Sequence, residues 1–98
     1  MAGPAGFEQA VTARVCEKLT PYMDEVKADV LGNVVGVRRC GKENAKKLLF
    51  DAHIDEVGLI ITGYEEGFLR FSALGGVDAR MLPASEIKIL TEPPVFGI

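Results

Sequence analysis

After Leu19 the chain offers no second run with the three- and four-residue apolar spacing of an amphipathic helix. That constrains the fold more than any other feature, because it leaves one helix followed only by strands and turns. Phe7, Ala10, Val11, Val15 and Leu19 recur at helical steps, with Glu8, Gln9, Arg14, Glu17 and Lys18 mostly elsewhere. The spacing predicts a helix over residues 7–19, stopped near Pro21. Val26 to Val30 alternates at period two, Leu31-Gly32-Asn33 reads as a turn, and Val34 to Val37 as the returning strand. Lys47-Leu48-Leu49-Phe50 then runs apolar into Ala52 and His53, as a strand covered on both faces does.

The texture changes at Val57. Residues 57–64 are apolar and β-branched, Glu65-Glu66-Gly67 reads as a hairpin loop, and Phe68 to Phe71 alternates again. Gly75-Gly76 is a turn, since neither a phosphate-loop lysine nor a helix follows it. Ile87 to Leu90 is a further strand, and the apolar residues 95–98 read as the start of another, as in a chain cut within an element. The fold class expected is α/β, a helix plus mixed sheet over residues 1–56, giving way to an all-β part over residues 57–98.

Several functional classes fit poorly. With 98 residues the chain is one small unit, and 26% charged against 48% hydrophobic residues is ordinary for a folded protein. A net charge of -3 and no basic cluster beyond the pairs Arg38-Arg39 and Lys46-Lys47 argue against nucleic acid as a partner. No apolar run is long enough for a membrane helix, and residues 1–10 lack the pattern of a signal peptide, so no membrane partner and a cytoplasmic location are expected. Cys16 and Cys40 lack metal-site spacing and read as two buried thiols, with a disulfide left open.

The chemistry concentrates in Leu49-Phe50-Asp51-Ala52-His53-Ile54-Asp55-Glu56-Val57-Gly58, which holds the only histidine. In extended backbone, residues i and i+2 project from one face about 7 Å apart. If His53 binds a metal through one ring nitrogen, a carboxylate on the other N–H fixes the tautomer, and Asp55 is the nearest candidate. A histidine at a strand end is also a common surface or hydrogen-bonded group. One histidine without paired cysteines cannot complete a zinc site, which takes about three or four protein ligands. Spacing alone does not choose between these readings. A glycosidase pair made of Asp55 and Glu56 is disfavoured, because adjacent strand residues face opposite ways.

The runs Leu31-Gly-Asn-Val-Val-Gly-Val37, Leu49 to Gly58, Gly67-Phe-Leu-Arg-Phe71 and Gly75-Gly-Val-Asp-Ala-Arg80 together resemble the M42 family of metallo-aminopeptidases. The sharpest part is Ala52-His53-Ile54-Asp55-Glu56-Val57-Gly58. The resemblance implies removal of N-terminal residues from peptide substrates by an enzyme holding two divalent metal ions, zinc or cobalt. It implies a zinc-exopeptidase-type catalytic α/β domain interrupted by a β-barrel used in homo-oligomerisation. Residues 1–56 would open the former and residues 57–98 the latter. It makes His53 a metal ligand and Asp55 the catalytic-site residue that orients it, and gives Glu56 no catalytic role. The family's other ligands and its catalytic glutamate lie downstream of this stretch, so the segment alone is expected to be inactive. The alternative is a non-catalytic, truncated assembly or structural module that self-associates.

Overall fold

The computed structural model describes residues 2–98. Its one α-helix, α1, spans Gln9–Leu19 and passes into a single 3-10 turn over Thr20–Tyr22. The helix begins two residues later than the apolar spacing predicts. Gly6 has a φ of 88°, and the Glu8 carboxylate accepts from the Gly6 N–H, so Phe7 is held in the turn leading into the helix. At the other end the Thr20 hydroxyl donates to the Cys16 carbonyl, satisfying one of the orphan acceptors there.

Six strands form three separate two-stranded antiparallel sheets. The first pairs β1 (Glu25–Ala28) with β2 (Val34–Val37) across a loop built on Asp29. The Asp29 carboxylate accepts from the backbone of Leu31 and Asn33 and from the Asn33 side chain, and Gly32 supplies a φ of 90°. The Asn33 amide above all, with these backbone donors, holds the Asp29 carboxyl below its usual range. The α1 end packs on this sheet at Gly36, where a Cβ would meet Met23 at 3.1 Å and Leu19 at 3.6 Å.

The second sheet is a hairpin of β3 (Gly58–Glu65) and β4 (Phe68–Leu74). Its two turn residues, Glu66 and Gly67, have φ of 48° and 89°, the pair of positive values that matches the twist of a tight hairpin. Register shifts between Ile61 and Gly63, leaving Thr62 as the extra residue of a bulge. The third sheet pairs β5 (Ile87–Ile89) with β6 (Val95–Gly97), so the apolar run at residues 95–98 contains a strand.

Two expectations are corrected here. Residues 47–53 form no strand: Leu49 is 88% exposed and Phe50 87% exposed. A strand needs a neighbour for its backbone groups, and no described segment is placed to supply one. The thiols are free, but Cys16 is half-buried and Cys40 exposed.

No hydrophobic side chain is fully buried among the described residues. A compact monomer of 10.6 kDa exposes about 5,500 Å² and has a radius of gyration of about 13 Å. This chain exposes 8728 Å², has a radius of gyration of 18.6 Å and measures 66 × 28 × 22 Å. It is an elongated α/β arrangement of one helix and short antiparallel sheets. None of its described helices is long and apolar enough to cross a membrane.

Candidate functional site

His53 stands in the irregular stretch that precedes β3, with its side chain 84% exposed. Its imidazole lies against Asp55. Nδ1 lies 2.9 Å from the Asp55 carbonyl oxygen and 3.2 Å from its carboxylate Oδ1. Both are acceptors only, so in the neutral ring Nδ1 carries the proton and donates. The lone pair is then on Nε2, which makes no hydrogen bond among the described residues.

His53 lines an open groove of about 1240 Å³. One wall is α1, through Thr12, Cys16 and Leu19; the loop after β1 forms another; residues 49–55 complete it. The helix and loop are joined by the Thr12 hydroxyl, which donates to the Gly32 carbonyl at 3.2 Å.

A neutral imidazole with one nitrogen held by a carboxylate and the other open is what a histidine metal ligand requires. His53 therefore fits a divalent metal as one ligand. No group of three or more His, Cys, Asp or Glu side chains placed to hold a metal occurs among the described residues, so the stretch supplies part of a site. Asp51 is exposed on the same irregular segment without converging on His53.

Glu56 lies apart from this pair. Its carboxylate accepts from the Gly3 N–H at 2.7 Å, and its own N–H donates to the Gly3 carbonyl at 3.0 Å. Pro4 and Glu56 form an isolated parallel bridge. Asp55 and Glu56 thus serve different partners, which removes them as an acid–base pair. The contact to Gly3 joins residues 53 apart, and no local pattern of the sequence signals it.

The turn after Gly75-Gly76 carries a second polar cluster. Asp78 caps the 3-10 turn Ala79–Met81 by accepting from the Arg80 N–H, and the Arg80 guanidinium grips the same carboxylate at 2.7–3.2 Å. The guanidinium holds the Asp78 carboxyl below its usual range, and the carboxylate raises Arg80 in turn. The pair is exposed and self-satisfied. A separate apolar groove of about 760 Å³ runs between Phe7, β3–β4 and β5, away from His53.

Residues 32–98 match the M42 glutamyl aminopeptidase family. Over 78 residues the chain is 40% identical to a provisionally named aminopeptidase of Acetivibrio thermocellus, covering 79% of this chain and 23% of that protein. It is 36% identical over 92 residues to a lysyl aminopeptidase of Pyrococcus furiosus, covering 92% of this chain and 26% of the relative. A provisionally named aminopeptidase of Escherichia coli, SgcX, is 38% identical over 96 residues, which is 95% of this chain and 26% of the relative. The chain spans about a quarter of the length of these relatives.

Proposed function

Because the chain belongs to the M42 glutamyl aminopeptidase family, we propose that it carries one ligand position of a dinuclear metal-dependent aminopeptidase that removes N-terminal residues from peptides. The observation that carries this reading is the His53–Asp55 pair, with Nδ1 bonded, Nε2 without a hydrogen bond among the described residues, and the residue lining a groove. His53 holds one divalent ion, zinc or cobalt, through Nε2. Asp55 keeps the proton on Nδ1, fixes the ring orientation and raises the basicity of the opposite nitrogen. When bound, two such ions supply Lewis acidity for a peptide carbonyl and for an attacking water.

Residues 1–56 belong in this reading to the catalytic α/β domain, and residues 57–98 to a β-barrel that serves assembly into a homo-oligomer. The 98 residues by themselves do not hydrolyse peptides, since three converging ligands are lacking among the described ones. A second reading, a non-catalytic module that self-associates, is favoured by the exposed apolar side chains of β3, β4 and residues 48–50. It requires concentration-dependent association on sizing, and a monomer at high concentration would rule it out.

The test uses the full-length protein that contains these residues. His53→Ala should lower hydrolysis of the N-terminal residue of a peptide by at least about 100-fold at limiting metal, more than loss of an outer partner of a ligand causes. Undiminished activity in that variant would overturn the proposal.

A further inference from the structure

Gly3 is the one buried residue among those described, although it lies near the start of the chain. A Cβ added there would sit 2.4 Å from Cγ2 of Val11 on α1, and 4.0 Å from the carbonyl oxygen of Ile54. Its backbone is held from the other side by both groups of Glu56, the carboxylate at 2.7 Å and the N–H at 3.0 Å. Next to it, Pro4 approaches so closely that a Cβ on Gly58 would meet the proline ring at 3.0 Å. Residues 3 and 4 are thus wedged between α1 and the segment just after His53 and Asp55.

We propose that Glu56 is a positioning residue: its two-point latch on Gly3 fixes the segment that carries His53, and ties that segment to α1, the opposite wall of the groove. The need for such a latch follows from the fold. Residues 47–55 have no ladder partner, so no strand pairing upstream of His53 holds this segment in place. Immediately downstream, Glu56 is the first residue with two backbone-directed bonds to another segment. Because Gly3 rests on Val11, a movement of Glu56 would be transmitted to the helix that lines the groove. The latch acts through hydrogen bonding, and a glutamine oxygen also accepts from the Gly3 N–H, though more weakly than a carboxylate.

The inference rests on the metal reading of His53, and the test separates the two. Full-length protein reconstituted with cobalt(II) is titrated for cobalt affinity, and the exchange rate of the Glu56 amide is measured on the metal-free protein. Glu56→Gln should keep cobalt affinity within about twofold of the wild type and keep the amide protected. Glu56→Ala should weaken cobalt binding about tenfold, as loss of an outer-shell partner does, and speed exchange of the residue 56 amide at least about tenfold. Gly3→Ala should do the same, and adding Val11→Ala should largely restore both by removing the 2.4 Å contact and leaving only the Val11 Cβ at 3.3 Å.

A glutamine variant as impaired as the alanine variant would overturn the proposal, because charge would then be acting. So would wild-type cobalt affinity in Glu56→Ala, or a failure of Val11→Ala to rescue Gly3→Ala. If Glu56→Ala does not fold, the Gly3 and Val11 pair decides. If His53→Ala binds cobalt as tightly as the wild type, the metal reading fails and the positioning role falls with it, while amide exchange still shows whether the latch exists.

Discussion

The β3–β4 hairpin and the stretch from Lys47 to Asp55 are both rich in apolar residues, yet only one of them forms regular structure. In the hairpin each strand finds its partner a few residues away, across a two-residue turn whose backbone suits the strand twist. In the stretch before β3 the backbone has no such neighbour, and Leu48, Leu49 and Phe50 stand in solvent. Apolar character is therefore not what separates them. Closure over a short loop costs little entropy and can be met within the chain, whereas a strand that must pair at a distance has to be met from elsewhere. The candidate site lies on the second kind of segment, and its shape is set by one local contact, His53 on Asp55, and one long-range one, Glu56 on Gly3.

The contrast can be broken in several ways, in decreasing order of effect. Trypsin acting briefly on the 98-residue chain should cut after Lys46 or Lys47 on the order of a hundredfold faster than after Arg70, because the hairpin must open first. Mass spectrometry of the earliest fragments reads the order, and equal rates would erase the distinction. Gly67→Ala places a side chain at a φ of 89° and should destabilise the hairpin by about 1–2 kcal/mol. The loss would appear as collapsed chemical-shift dispersion for Leu59, Ile61 and Phe71, with residues 47–55 unchanged.

Glu66→Asn makes the opposite change at the neighbouring position, where φ is 48°. Asparagine tolerates that conformation, so a gain of roughly 0.5–1 kcal/mol is expected in denaturant unfolding followed at the hairpin. The smallest effect is with acid. The Asp29 carboxyl is depressed below its ordinary value of 3.8 in the folded chain. It contributes stability to the β1–β2 loop above that value, and the contribution is lost as pH falls through the lower, folded one. The amide signals of Leu31 and Asn33 should titrate with a midpoint under 3.8, and a midpoint at or above it would show that the loop bonds are not formed.

The parts legible in the sequence are those set by neighbours in the chain. The helix followed from its apolar spacing, and Leu31-Gly32-Asn33 and Glu65-Glu66-Gly67 marked two turns because those backbones favour glycine or asparagine. Residues 47–53 carry the pattern of a doubly covered strand, but a pattern states what a segment needs and not whether a partner is there. Within the candidate site, the short spacing of His53 and Asp55 made their contact foreseeable. The grip of Glu56 on Gly3 was not, because a bond between residues 53 apart leaves no periodic trace.

The area this chain keeps in water has a thermal consequence. Heat-capacity change on unfolding scales with apolar surface newly exposed, and is about 1.2–1.5 kcal/mol/K for an ordinary domain of 100 residues. With 8728 Å² accessible against about 5,500 Å² for a compact monomer of this mass, less apolar surface remains to be uncovered than in an ordinary domain. A calorimeter scanning the isolated chain would therefore record a lower and broader endotherm with a smaller baseline step than a compact domain of this length, and its stability would vary less steeply between cold and warm.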